Sequence, residues 1–221
     1  MMQRGGCHAP AMTNAPVRSQ AEANTELHAE RRDKILTAAG AAIVLRGYDA
    51  VRLRDVAAEC GVTTGMIQHY FDSREQLLTA AFERAALDQV AAWDVVTEAE
   101  HDAGRQLHVL IDRIADELAS RDACVIWTEL CACASRNPHL QSLVQHVFER
   151  WHQLIRDAII AGMAAGTLRS TLTADDAASL LLAAIDGFEM SVAALPRDDD
   201  AIEPLVERLW LLAGQLLGLE R

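Results

Sequence analysis

Proline is scarce in this chain, and so is any continuous apolar run. There are 5 prolines in 221 residues, and alanine and leucine dominate a composition that is 51% hydrophobic. Few β-branched runs and few helix breakers point to an all-α protein. No stretch approaches the ~18 consecutive apolar residues of a spanning helix, so no membrane partner is expected. The N-terminus, "MMQRGGCHAPAMTNAPVRSQAEANTE", lacks the apolar segment of a secretory signal, and residues 1–25 read as a flexible tail. Cys7, Cys60, Cys124, Cys131 and Cys133 are odd in number and irregular in spacing. Without an export signal they read as reduced thiols of a cytoplasmic protein. HExxH, GxSxG, P-loop and dinucleotide-binding glycine motifs are all missing, so no catalytic residue and no cofactor is assigned.

What is present is unevenly charged. Residues 1–80 carry nine basic and nine acidic side chains, which leaves 11 basic against 23 acidic in residues 81–221. The whole net charge of −12 therefore lies in the later part. A neutral head on an acidic body suggests two jobs, and only the head suits a polyanion.

Helical periodicity and breaks divide the chain. A first helix runs from about Leu27 to Arg46, with Ile35, Ala38, Ala39, Ala42, Ile43 and Leu45 on its apolar stripe and Gly47 at its end. A short helix follows from about Leu53 to Cys60, closed by Gly61. Thr63 or Thr64 can cap a third that ends near Tyr70, and Asp72 or Ser73 a fourth that begins near Arg74. This is a helix-turn-helix layout, with Val56, Ala57, Val62, Ile67 and Phe71 as its small core. Five longer helices are expected at about 104–120, 122–135, 138–165, 173–194 and 201–218, broken at Gly104, Asn137-Pro138, Gly166 and Pro196. The chain then divides into a tail (1–25), a helix-turn-helix domain (26–75) and a larger body (76–221).

The segment "ILTAAGAAIVLRGYDAVRLRDVAAECGVTTGMIQHYFDSREQLL", residues 35–78, resembles the DNA-binding head of TetR-family transcriptional regulators. The family pattern of Ile-Leu-x-Ala-Ala, Gly-Tyr, Asp-Ile/Val-Ala, Gly-Val-Ser/Thr, a tyrosine- and histidine-rich helix 3 ending in Phe, and Lys/Arg-Glu-x-Leu runs through this segment. Residues further on ("RNPHL", "IIAGMAAGTLR", "AASLLLAAIDGFEMSVAAL") resemble the BetI-like branch of its regulatory domains. The resemblance implies a double-stranded DNA operator, a small-molecule effector and a homodimer. It also implies a base-contacting arginine on helix 2, at Arg54. Two positions depart from the pattern. The usual aromatic pair of helix 3 is Gln68-His69 here, which alters the bases read, and the usual Ser/Thr cap of helix 2 is Arg52, which adds a possible phosphate contact.

The residues support a reading of their own. Ile67 and Phe71, four apart, point into the head's core. Thr64, Gly65, Met66, Gln68 and His69 lie on other faces. Gly65 permits close approach, Gln68 suits an adenine edge and Met66 a thymine methyl. Thr63, His69, Tyr70 and Arg74 suit phosphate oxygens. Met66 has an alternative role as surface filler, and Tyr70 as a seal against helix 1.

In the body, Trp93, Trp127, Cys131, Phe148, Trp151 and Phe188 are candidate walls of an effector cavity, and Glu129, His152 and Asp186 candidate polar groups that orient the effector. Each also fits an ordinary core or surface position. Few formal charges are expected near the rings, so the effector expected is apolar or amphipathic. Cys-x-Cys on a helix turns its sulfurs to different faces, so no metal site is assigned. Leu180, Leu181, Ala184, Ile185, Leu205, Leu209, Leu212 and Leu216 on the last two helices are expected to form the dimer bundle. The competing readings are a helical enzyme and a binding protein of the same fold that has lost its operator.

Overall fold

A computed structural model describes residues 20–196 and 202–219, with side chains from residue 24 onward. Among them there are nine α-helices and no strand. The helices are α1 (Gln20–Arg46), α2 (Leu53–Cys60), α3 (Thr64–Tyr70), α4 (Arg74–Ala99), α5 (Gln106–Leu118), α6 (Arg121–Ala134), α7 (Pro138–Ala165), α8 (Ala174–Ala194) and α9 (Ile202–Leu217). One 3-10 turn, Tyr48–Ala50, lies between α1 and α2.

The breaks work as their residues dictate. Gly61 has φ 67, a left-handed geometry that a side chain disfavours. It lets Val62 N–H turn back to the Ala57 carbonyl at 2.9 Å, which satisfies the end of α2. Of the two threonines it is Thr63 that caps α3, accepting from Met66 N–H at 3.2 Å, and Ser73 caps α4, accepting from Gln76 N–H at 3.1 Å. Asn137 caps α7 with Pro138 in its first turn, where proline's missing N–H is no loss.

Helix α1 begins seven residues before the Leu27 expected from periodicity. Its first two turns, "QAEANTE", contain good helix formers and no apolar stripe, so periodicity alone does not reveal them. Residues 20–25 are thus helical rather than part of a tail, and residues 1–19 lie outside the described residues.

Val56, Ala57, Ile67 and Phe71 are buried as the head's core, and Val62 is half-buried against it. The head rests on the body through α1, which packs on α4 and α6. Helix α4 belongs to both, opening beside α3 and reaching Trp93 in the body core. Helix α7 is the body's central strut, packed against α4, α5, α6 and α8.

Helix α8 is long and apolar enough by length and composition to cross a membrane. An uninterrupted-run criterion misses it because Asp186 and Glu189 interrupt it. It packs against α5, α6, α7 and α9, and one face remains uncovered. Of the side chains expected in the dimer bundle, Leu180 lies on it, and Ala184, Leu205, Leu212 and Leu216 are half-buried. Leu181, Ile185 and Leu209 are buried in the protomer's own core, while Leu180, Met190 and Leu211 are exposed. An apolar stripe on a two-sided helix does not say which side meets the core, and here Leu181, Ile185 and Leu209 take the core side.

A candidate DNA-reading face and a candidate effector cavity

The first site is the outer face of α2 and α3. Ile67 is wholly buried, and that fixes the rotation of α3. Thr63, Thr64, Gly65, Met66, Gln68 and His69 are all exposed, as are Arg52 and Arg54 on α2. Met66 is 38% exposed, enough to offer an apolar end to a groove floor. Asp55 reaches back to accept Arg52 N–H at 3.1 Å, which closes the start of α2 and leaves the Arg52 side chain outside.

Two residues expected at the phosphates have other work. Tyr70 is half-buried, with its ring 4.4 Å from that of His28, so it seals α3 against α1. Arg74 donates through Nε to the Val51 carbonyl at 2.6 Å and through a terminal nitrogen to the Tyr48 carbonyl. Its guanidinium lies 4.9 Å from the Tyr48 ring centre. Its remaining nitrogen meets Glu75 at 3.3 Å. This guanidinium clamps the turn after α1 to the start of α4, and it has little left for a phosphate.

The sequence reading also missed residues. The N-terminal half of α1 runs beside α3, where Asn24, Leu27, His28 and Arg31 share a cleft with Met66, His69 and Tyr70. Arg31 is exposed there, a cation next to the reading helix.

The second site lies in the body. Trp93, Trp127, Phe148 and Trp151, from α4, α6 and α7, do come together. Trp93 stacks on Trp151 at 5.1 Å, Trp127 meets Trp151 at 4.7 Å, and Phe148 meets Trp127 at 5.4 Å. Phe188 is half-buried on α8 and makes no ring pair with them among the described residues. A half-open cavity of about 350 Å³ sits beside this cluster between α4, α5 and α6. Of the expected wall residues, Trp127 lines it. Gln89, Arg113, Asp116, Glu117, Ile126 and Leu130 also do so.

The expected polar partners divide. Asp186 accepts the Trp127 indole N–H at 3.3 Å, so it stands at the back of the ring cluster. His152 faces outward on α7, 3.1 Å from the Ser179 hydroxyl, away from this cavity. Glu129 accepts the Tyr48 backbone N–H at 3.1 Å and is therefore a link between body and head. Cys131 is half-buried, and burial pushes its thiol up to about 12, as it does for Cys124, so neither forms a reactive thiolate near neutral pH.

The expectation of few charges near the rings is wrong. Glu117 accepts the Trp93 indole N–H at 2.8 Å and the Gln89 amide at 2.7 Å, and it pairs with Arg113 at 3.0 Å. Glu189 is only 3% exposed, and its Oε2 has no hydrogen-bond partner. Burial raises all three carboxyls. Asp186 is pushed up to about 6 and Glu189 to about 8, the latter also by the neighbouring Asp186 and Glu117, while Glu117 is raised against the lowering effect of its hydrogen bonds. Glu117 and Glu189 were missed because each is flanked by helical patterns that read equally well with the acid at the surface.

One helix belongs to both sites. Ile126, Trp127 and Leu130 of α6 form a wall of the cavity, and Glu129 between them holds the head. A Cβ on Gly40 of α1 would lie 3.6 Å from Ile126, so α1 and α6 are in close contact at the same level.

An all-helical chain with an exposed reading helix at one end and a cavity in a larger helical body defines a ligand-responsive type of DNA-binding regulator. Sequence models of two families match it: bacterial regulatory proteins of the TetR family over residues 35–81, and the C-terminal part of BetI-type transcriptional repressors over 102–209. The protein belongs to the TetR family of transcriptional regulators. It is 23% identical over 190 residues to the nicotine-responsive transcriptional repressor HdnoR of Paenarthrobacter nicotinovorans, covering 82% of this chain and 97% of that one. A match to the repressor KstR of Mycolicibacterium smegmatis, 41% identical, is confined to 73 residues, 33% of this chain and 36% of the relative. Among solved structures, a transcriptional regulator from Saccharomonospora viridis in complex with choline superposes with a TM-score of 0.77 at 27% identity. It covers 87% of this chain and all of the other.

Proposed function

We propose that the protein is a dimeric repressor that binds a pseudo-palindromic operator through α3 and leaves it when a small organic molecule enters the body cavity. The observation that carries this reading is the split of α3. Its one buried residue, Ile67, locks the helix to the head, and every expected base-edge group on it is exposed. Gln68 suits the adenine edge, Met66 a thymine methyl, and Arg54 on α2 a guanine or a phosphate. Arg31, Arg52, His69 and the Thr63 hydroxyl surround them as backbone contacts.

Two copies are needed to occupy successive major grooves. The uncovered face of α8 and α9, with Leu180, Met190 and Leu211 exposed, is the natural surface for that pairing. A DNA partner implies a cytoplasmic protein, and binding rather than turnover is its activity.

Effector entry acts through α6. A molecule wedged against Ile126 and Trp127 shifts the helix that contacts Gly40 and holds the Tyr48 N–H, and so changes the spacing of the two heads. Release requires that the effector bind the DNA-free form more tightly than the DNA-bound form. Two relatives whose names mention small organic molecules, choline and nicotine, support an effector of that size.

A gel-shift titration with the DNA upstream of the protein's own gene tests this reading. A saturable, sequence-selective shift that small organic compounds reverse is expected. Binding that is equal on unrelated DNA, or that no compound reverses, contradicts it.

A further inference from the structure

Carboxylates stand in the hollows of the body. The cavity between α4, α5 and α6 has Asp88, Asp116 and Glu117, the groove between α7 and α8 has Glu149, and the groove between α1 and α4 has Asp33, Glu83 and Asp88. The cleft between α1 and α3 differs. It measures about 270 Å³ and is lined by Asn24, Leu27, His28 and Arg31 of α1 and by Met66, His69 and Tyr70 of α3, with no acid among them. Its polar groups are an amide, two imidazoles, a guanidinium and a phenol, all able to donate hydrogen bonds.

These donors are arranged and available. Asn24, His28 and Arg31 follow the spacing i, i+4, i+7 and so form one row on α1, which exists only because the helix starts before Asn24. Arg74, Arg84, Arg113 and Arg150 each meet a carboxylate, whereas Arg31 is exposed and meets none among the described residues. His69 stands on the opposite wall. The His28 and His69 rings are 6.3 Å apart, and both lie against Tyr70, at 4.4 and 5.5 Å. Two ring N–H groups so placed can donate to different oxygens of one tetrahedral anion at about 3 Å. Leu27 and Met66, 44% and 38% exposed, add apolar surface beside the donors.

We propose that the cleft between α1 and α3 is a phosphate seat, in which Asn24, His28, Arg31 and His69 hold one backbone phosphate of the operator at the edge of the groove that α3 enters. The proposal rests on the reading of α3 as the DNA-binding helix and extends the interface to α1. Met66 and His69 belong to the reading face and to the cleft alike, so an anion in the cleft lies beside whatever α3 enters. In duplex DNA that anion is a backbone phosphate, and Leu27 and Met66 meet the sugar next to it. The Tyr70 ring, which seals α3 against α1, also sets the distance between the two imidazoles. A phosphate held from two helices fixes where α3 sits along the groove, and base contacts then specify the sequence.

The test uses the full-length protein and the duplex from its own upstream DNA that it binds most tightly. Copies of that duplex carry one neutral methylphosphonate at successive positions, and fluorescence anisotropy reads affinity. For the parent, neutralising one phosphate in each half-site is expected to weaken binding about tenfold. Arg31→Ala and His28→Ala should each weaken binding to the unmodified duplex by about fivefold to tenfold. Both should then be blind to the methylphosphonate at that one position and respond like the parent at the others. Arg31→Ala should also flatten the salt dependence of affinity by a slope of about one. A folding defect gives no blind position, and an unchanged melting temperature checks for one. Variants that respond to every methylphosphonate as the parent does overturn the proposal. Inorganic phosphate that binds the parent in calorimetry and not Arg31→Ala, with no blind position on the duplex, assigns the cleft to a free anion and overturns it as well. A parent that prefers no duplex removes the operator reading itself, and the seat with it.

Discussion

Helices α3 and α8 each carry polar groups on an otherwise packed helix, and those groups meet opposite fates. On α3, Gln68 and His69 lie in solvent, while Ile67 is buried and Tyr70 half-buried against the head. On α8, Asp186 is half-buried, Glu189 is enclosed, and the apolar Leu180 and Met190 are outside. An exposed polar face can exchange water for another hydrogen-bonding surface at little cost. An enclosed acid has already lost its water and gains from any partner that restores its charge. The first suits DNA, which arrives at a surface, and the second suits a small molecule that must enter.

The largest effect separates core from surface within α9. Leu209 is fully buried and Leu211 is 63% exposed, two residues apart. Leu209→Asp is expected to destabilise the protomer by about 3–5 kcal/mol, seen as a collapse of the melting temperature. Leu211→Asp should leave the melt of the protomer nearly unchanged and shift light scattering from dimer to monomer. A Leu211→Asp protein that remains a dimer removes the proposed pairing surface.

The pH response of stability probes the enclosed acid next. The Glu189 carboxyl is held at about 8 against its ordinary 4.5, so the fold favours its neutral form. That contribution is complete below pH 4.5 and is lost as pH rises through about 8. Denaturant titrations of Glu189→Gln should show a loss over this range smaller than the parent's by roughly 2–4 kcal/mol. An identical pH profile would place the acid in a wetter site than the one described.

Smaller still is the loss at a single base. Arg54→Ala should weaken operator binding by ~1–3 kcal/mol and relax preference at one position, measured with a set of single-substituted operators. Arg74→Ala sharpens the contrast between a reading residue and a clamp. It should lower stability by about 1–2 kcal/mol, because two carbonyls lose their donor, and leave the salt dependence of DNA affinity unaltered. A flatter salt slope would restore Arg74 to the phosphates.

Much of the head was legible in the residues. The short helices, their glycine stops and the buried Ile67 and Phe71 follow from local rules of capping and spacing, which act within a few residues. The start of α1 escaped because its first turns have helix-forming residues and no apolar stripe. Arg74 and Glu129 were misread because their partners are the carbonyls of Val51 and Tyr48 and the N–H of Tyr48, backbone groups that no side-chain pattern announces. In the body five rings were legible as candidate walls, and Trp93, Trp127, Phe148 and Trp151 do meet, whereas Phe188 forms no ring pair with them among the described residues. Glu117 and Glu189 were not legible, because helical spacing leaves both a buried and an exposed reading open, and long-range packing decides between them.

The claim on which all else depends is that the exposed face of α3 reads DNA. Fluorescence anisotropy with short duplexes tiled across the upstream region, at fixed salt, measures this for the parent and for Gln68→Ala. The account predicts one tight-binding duplex for the parent and a loss of ~1–3 kcal/mol for the variant on that duplex alone, with non-specific binding to the others unchanged. A variant that binds every duplex as the parent does would contradict it.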